Sequence, residues 1–237
     1  MSSFISIENL RKKYGENEAL KGVTFSLEEG DFLSVFGPNG AGKTTLLKLL
    51  SAQTRPTSGF IKYNDKRIDE LTDDFRSKFG VISHQPFLYE NLPAVENLKF
   101  YGKLYDIKNL EDRIKEVLEL VELYNRRKDL VRNYSRGMLQ RLSIARALIH
   151  NPDIIFLDEP YTGLDQHASN ILTNILKSLF KDKKTIIMVT HNLMKGYELS
   201  SKLAIIKNGN LKFFRNKNEV EDFEFEDIYL SIISEEQ

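Results

Sequence analysis

One segment constrains the fold of this chain more than any other: Gly37-Pro38-Asn39-Gly40-Ala41-Gly42-Lys43-Thr44. It follows a short apolar stretch, Phe32 to Phe36, that reads as a strand. It opens a helix from Thr44 to Ala52, in which Leu46, Leu47, Leu49 and Leu50 make a broad apolar face. A G-x-x-x-x-G-K-[ST] pattern between a strand and a helix is the setting a phosphate-binding loop requires. Glycines let backbone N–H groups turn inward on the phosphates, the helix N-terminus adds partial positive charge, and Lys43 reaches the β- and γ-phosphates. Thr44 offers its hydroxyl to Mg2+.

Around this segment the pattern predicts an α/β core. Alternation at Ile5, Ile7 and Leu10 and a second strand near Val23-Thr24-Phe25 precede the loop. From Ala94 to His150 the pattern becomes helical, with Ile114, Val117, Leu118 and Val121 at three- and four-residue spacing, which predicts a helical lobe inserted into the core. Two apolar runs, Ile154 to Leu157 and Thr185 to Val189, flank a helical segment from about Gln166 to Phe180, the rhythm of a parallel sheet. Leu203 to Lys207 and Leu211 to Phe214, joined by Asn208-Gly209, predict a closing hairpin. Beyond Arg215, aromatics and carboxylates interleave from Glu221 to Asp227 ahead of Ile228 to Ile233, and this reads as a small packed helix rather than a binding tail. The expected organisation is one domain over residues 1–237, with a core at about 1–85 and 151–214, a helical subdomain at about 86–150 and a short C-terminal extension at 215–237.

The run from Ile154 ends in Asp158-Glu159. A strand buried on both faces delivers such groups to the C-terminal edge of the sheet, where α/β ligands sit. There Asp158 can hold Mg2+ through water and Glu159 can polarise an attacking water. An acidic turn after a buried strand is common by itself; together with the phosphate loop it points to nucleotide hydrolysis.

Composition excludes several classes. Thirty-four basic residues balance 34 acidic ones, so no overall field draws the chain to nucleic acid or to an anionic membrane. The unbroken apolar runs are far shorter than the roughly twenty residues of a membrane-spanning helix, so no direct membrane insertion is expected. The N-terminal residues show neither the basic segment nor the apolar core of a secretion signal, and the absence of cysteine excludes disulfides and thiolate metal sites. Cytoplasmic residence is the expectation. His84, His150 and His167 have no metal-ligand spacing with one another or with His191, and read as solvated loop or helix-end histidines.

With these motifs in order, residues from about 4 to 214 resemble the ABC ATPase family. The resemblance implies a P-loop NTPase with a mixed, RecA-like sheet core, an antiparallel β edge and an inserted α-helical subdomain. It implies that Tyr14 stacks on adenine and that Gly37, Pro38, Asn39, Gly40, Ala41, Gly42, Lys43, Thr44 and Thr45 hold the phosphates. Gln85 resembles the Q-loop glutamine that senses Mg2+ and the membrane partner. Ser135-Arg136-Gly137-Met138 resembles the family signature, Gly163-Leu164-Asp165 its D-loop and His191 its switch histidine. The implied catalytic set is Glu159, His191, Lys43 and Gln85, and the implied Mg2+ set is Thr44, Gln85 and Asp158. Singly, each of the added positions has an ordinary reading as a surface aromatic, a loop polar group or a strand-end histidine; their ordered occurrence carries the resemblance.

Tyr134-Ser135-Arg136-Gly137-Met138 departs from the common Leu-Ser-Gly-Gly-Gln, although Ser135 and Gly137, the phosphate-facing pair, remain. Arg136 either adds a charge-assisted phosphate contact or points to solvent. The Ser-Arg-Gly-Met signature and the run from Asp158 to Asp165 are similar to those of exporter ATPases, particularly relatives of the haem exporter of cytochrome c maturation.

The helix from Ser135 to Ile149 aims its N-terminus at a phosphate, which in this family belongs to ATP held by the other subunit. The resemblance therefore implies a second nucleotide-binding subunit, as a homodimer around two MgATP. It also implies a membrane-spanning permease that docks near Gln85 and residues 86–98, with this chain peripheral on the cytoplasmic face and no nucleic-acid partner. A chromosome-maintenance ATPase would need a long coiled coil, and a translation-associated one a second motif set. The alternative that stays open is a non-transport ATPase driving a cell-envelope or cofactor-assembly complex.

Overall fold

In the computed structural model of the protein, which describes residues 3–83 and 85–234, the chain opens with an antiparallel hairpin of β1 (Ile5–Tyr14) and β2 (Asn17–Leu27). Ile5 and Ile7 turn inward, then two residues face out before Leu10 turns back in. A register shift between Ile7 and Leu10, with Asn9 at φ 46°, absorbs the extra residue, so the apolar spacing changes from two to three. Strand β3 (Phe32–Phe36) runs through the glycine loop into helix α1 (Lys43–Leu50). Strands β4 (Ser58–Tyr63) and β5 (Lys66–Arg67) complete a sheet of order β2-β1-β4-β5.

One turn of helix, α2 (Asp73–Arg76), leads to β6 (Phe79–Ile82). Helices α3 (Ala94–Leu104), α4 (Leu110–Leu120) and α5 (Arg136–Leu148) occupy the stretch predicted to be helical. Then follow β7 (Ile154–Asp158), α6 (Gln166–Lys181), β8 (Thr185–Val189), α7 (Leu193–Leu199), β9 (Lys202–Lys207), β10 (Asn210–Asn216) and α8 (Asp222–Ser234). The second sheet has the order β10-β9-β3-β8-β7-β6, with β10 alone antiparallel.

Every position of β3, β7 and β8 is buried, which is why these strands read as unbroken apolar runs rather than alternating ones. One face of this sheet, through Leu33, Val35, Phe156 and Ile187, packs on α1 and the antiparallel sheet. On the other, Phe32, Ile155, Ile186 and Met188 share a core with Val117 of α4, Leu142 of α5 and Leu172 of α6. Each such side chain contributes about 1.5–3 kcal/mol by leaving water, so the three-helix stretch draws stability from the sheet as well as from its own contacts. A third, smaller cluster joins Phe36, Leu203, Ile205 and Phe225 beneath α7 and α8, so the acidic tail is a packed helix.

Strand order places the site. Because β8 lies between β3 and β7, the loops leaving their C-terminal ends set Thr190-His191 between the glycine loop and Asp158-Glu159. That edge is where open α/β sheets bind ligands.

Candidate nucleotide site

The glycine loop is held flush against its neighbours. Gly37 and Gly42 have φ of 148° and 105°, and a Cβ on either would collide with a backbone carbonyl, that of Ile206 or of Ala19. Helix α1 starts at Gly42 with no side-chain cap and no acidic residue in its first turn. By contrast α5, α6 and α7 are capped by Ser135, Asp165 and Asn192. The first-turn N–H groups of α1 are thus left for an anion. Lys43 is only 7% exposed, and its Nζ donates to the carbonyls of Gly37 (2.8 Å) and Pro38 (3.0 Å). Burial lowers its pKa from the usual lysine value, while Glu159 and Asp158 pull it back up.

Thr44 Oγ1 donates to Asp158 Oδ1 at 3.1 Å, and Asp158 is buried. A hydroxyl and a carboxylate side by side are the hard oxygen donors that Mg2+ takes, so this pair fits the ion. Glu159 sits at φ 51° and its N–H donates to the Val189 carbonyl at 2.9 Å. This turn brings its carboxylate to His191, where Oε2 accepts from the His191 N–H at 3.2 Å and lies 2.7 Å from Nδ1. The Glu159 side chain is 15% exposed and that of His191 64%, so the carboxylate is shielded and the imidazole faces the opening.

Tyr14, the loop from Asn39 to Thr45, Glu159 and His191 line one cavity of about 830 Å³. Gly37 and Pro38 lie outside its lining and hold Lys43. Tyr14 is half exposed at the rim, with Lys12 Nζ 5.0 Å from its ring centroid. Other predicted positions are elsewhere. Gln85 is exposed and does not line the cavity; its carbonyl accepts from Ser83 Oγ at 3.1 Å, so of the expected Mg2+ set only Thr44 and Asp158 meet. Ser135 Oγ accepts from the Met138 N–H at 3.3 Å, and Asp165 Oδ1 from that of Ala168 at 2.8 Å, each as a helix cap. Gly137 faces Ala168 on α6, and Met138 packs partly buried on the second core.

Arg136 takes neither of its two expected positions cleanly. It is exposed, yet its guanidinium lies so close on Gly163 that a Cβ there would collide with it. It also lines, with Gln140, Asp158, Glu159 and Thr162, a crevice of about 140 Å³ beside the cavity.

His150 corrects the reading of solvated histidines. Its ring stacks on Tyr105 at 4.0 Å, Nε2 lies 3.1 Å from the Phe79 carbonyl, and burial foremost pushes its pKa down to about 4. His167 is exposed, 3.6 Å from Glu122, and His84 lies outside the described residues.

The sequence reading missed Asn17, Glu18, Ala19, Lys21, Thr162, Asn208 and Gly209, all of which line the cavity. Asn208-Gly209 was legible as a hairpin turn but not as a clamp. Gly209 N–H donates to the Ala41 carbonyl at 3.0 Å, and its own carbonyl accepts from Lys21 N–H at 2.8 Å.

A phosphate-type loop after β3, an acidic pair at the end of β7 and a histidine after β8 on one mixed sheet define an ATP-hydrolysing cassette. Residues 20–162 match the family described as ABC transporter. The chain is 35% identical over 209 residues to the linearmycin resistance ATP-binding protein LnrL of Bacillus subtilis, covering 87% of this chain and 67% of the relative. It is 34% identical over 211 residues to the Nod factor export ATP-binding protein I of Cupriavidus pinatubonensis, covering 88% and 65%. Among solved structures it superposes on the dimeric ATP-binding cassette MJ0796 in a post-hydrolysis state bound to ADP and Pi. There the TM-score is 0.80 and the identity 30%, over 90% of this chain and 98% of that one. The chain belongs to the ABC transporter family, as an ATP-binding subunit. It spans about two thirds of the length of these curated relatives, 67% and 65%. The expected link to haem export finds no support in these relatives, whose names carry linearmycin resistance and Nod factor export. Among the described residues, no helix is long and apolar enough to cross a membrane.

Proposed function

We propose that this chain is the motor of an ABC exporter, in which two copies close on two ATP molecules and drive substrate movement through a separate membrane-spanning partner. The observation that carries this reading is the meeting of Lys43, Thr44, Asp158, Glu159 and His191 at one sheet edge. Lys43, held at the loop by two carbonyls, exchanges them for β- and γ-phosphate oxygens. Glu159 accepts a proton from the attacking water, and His191 orients both that carboxylate and the γ-phosphate. Thr44 and Asp158 would hold Mg2+, which when bound would supply neutralisation of the charge that develops on the transferring phosphoryl group. Tyr14 stacks on the adenine at the rim.

Ser135, Arg136, Gly137, Met138 and Asp165, which do not line this cavity, serve the nucleotide of the second copy. Gln85 enters on closure and senses the partner. The exposed side chains that follow it, Phe87, Tyr89, Leu92 and Phe100, form an apolar surface suited to a permease helix. In this reading residues 1–85 and 151–214 form the RecA-like core, 86–150 the helical subdomain and 215–237 an extension. The protein is peripheral on the cytoplasmic face. The relatives favour export of antibiotic- or Nod-factor-like molecules over haem.

The test is light scattering of Glu159→Gln protein with and without MgATP. A dimer that forms only with MgATP and is lost on adding Ser135→Arg is the expected result. A variant that binds MgATP yet stays monomeric at all concentrations would sink the shared-site mechanism.

A further inference from the structure

Behind the site lies an aromatic cluster that the hydrolytic chemistry does not use. Phe36, the last residue before the glycine loop, packs on Phe225 of α8 with ring centroids 5.0 Å apart. Phe225 also meets Tyr197 of α7 and Phe213 of β10, each at 5.9 Å. Gly196 of α7 sits so close to the Phe36 ring that a Cβ would collide with it. Helix α7 begins two residues after His191, and its Leu193 and Tyr197 share this cluster with Ile228, Tyr229 and Ile232 of α8.

Two hydrogen bonds fix α8 at both ends. Tyr197 donates its hydroxyl to the Val220 carbonyl, just before the helix, at 2.8 Å. Lys207 Nζ donates to the Ile232 carbonyl in the last turn at 2.9 Å. Lys207 leads directly into the Asn208-Gly209 turn that rims the cavity. Helix α8 therefore touches the strand feeding the glycine loop, the helix that follows His191 and the strand feeding the rim. Burial first, and the charge of Glu159 second, raise the Tyr229 pKa above the usual tyrosine value, which puts α8 within electrostatic reach of that carboxylate.

From this geometry we infer that α8 is a positioning element of the ATPase: through Phe225 it seats α7, and with it His191, against Glu159. The inference rests on the hydrolytic roles proposed for Glu159 and His191. An apolar contact suits the task, because close packing fixes position without adding charge beside the phosphates. Since the phosphate loop keeps its own contacts, loosening α7 misplaces the catalytic pair while nucleotide binding persists.

The experiment compares full-length wild type, Phe225→Ala, Phe225→Leu and Glu159→Gln for kcat and KM, together with imidazole NMR signals, that of His191 being assigned by its loss in His191→Gln. Phe225→Ala is expected to lower kcat about tenfold to a hundredfold, the scale of a small misplacement, at unchanged KM. Phe225→Leu is expected to recover most of it. The His191 signal should move in Phe225→Ala while that of His167 stays. Wild-type kcat together with an unmoved His191 signal in folded Phe225→Ala would overturn the inference, as would an effect confined to KM. If Phe225→Ala does not fold, Phe225→Leu carries the same readouts at smaller amplitude. Equal turnover by wild type and Glu159→Gln would instead defeat the hydrolytic reading, and the His191 signal would still decide whether α8 seats α7.

Discussion

Glu159 holds a left-handed backbone conformation, φ 51°, that costs a non-glycine residue about 1–3 kcal/mol. What it obtains is a carboxylate turned onto His191, bonded both to its N–H and to its ring. Glu159→Gln keeps that shape and removes the base, so turnover should fall on the order of 10²–10⁴-fold with little change in the thermal midpoint; a mild loss would mean that another group takes the proton. Gly42→Ala tests the opposite case. Its methyl would strike the Ala19 carbonyl, which predicts about 1–3 kcal/mol of destabilisation in urea unfolding together with loss of MgATP binding. At this scale the sequence was most legible where chemistry demands a residue type at a fixed spacing, as in Gly37 to Thr44 and Asp158-Glu159. It was silent on Asn17, Glu18 and Lys21, which reach the cavity because β2 lies beside the glycine loop, and it left Arg136 open between a phosphate contact and solvent, since its resting place depends on Gly163 of another loop.

Whether a segment is visible as an element depends on how much of its stability is local. Strands β3, β7 and β8 were legible because burial on both faces makes them uniformly apolar, and α6 because sixteen residues give its apolar stripe room to repeat. Four-residue β6 and two-residue β5 exist by virtue of their sheet partners, and seven-residue α7 contains a glycine needed for packing on Phe36. None of the three has a period long enough to read. The signature Ser135 and Asp165, proposed for the composite site, also cap α5 and α6 within their own chain. Ser135→Ala and Asp165→Ala should therefore each cost about 1 kcal/mol of monomer stability, measured by urea unfolding without nucleotide. Loss of MgATP-dependent dimerisation from Ser135→Ala by far more than that cap energy is the sign of a second, intermolecular role. Equal losses in both assays would leave the cap as its whole function.

Seen across the whole molecule, the helical stretch rejoins the sheet at His150, and no local pattern announces that junction because its partners come from far along the chain. Tyr105 stacks on the ring, Phe79 of β6 takes a hydrogen bond at Nε2, and Nδ1 is buried with no hydrogen-bond partner among the described residues. Protonation would place a second N–H where nothing accepts it, close to the charges of Arg146, Arg113 and Lys184, which add to burial in lowering the pKa to about 4. In the unfolded chain the same imidazole titrates near its ordinary value of about 6.5. Between those two values the unfolded state binds more protons than the folded one, so stability falls as pH falls from about 6.5 toward 4 and the loss levels off below. By this linkage the deficit at pH 5.5 relative to pH 7.5 is about 1 kcal/mol. His150→Phe keeps an aromatic stack on Tyr105 without a titrating nitrogen, so its urea midpoint should decline less over this interval than that of wild type, with the two curves separating only below about pH 6.5. Parallel curves would show that His150 takes its proton without leaving this junction. Separated curves, combined with earlier acid exposure of α5 amides in hydrogen exchange, would show that a neutral imidazole strengthens the tie of α5 to the sheet, beside the Arg146 hydrogen bond to the Val81 carbonyl and the shared apolar core.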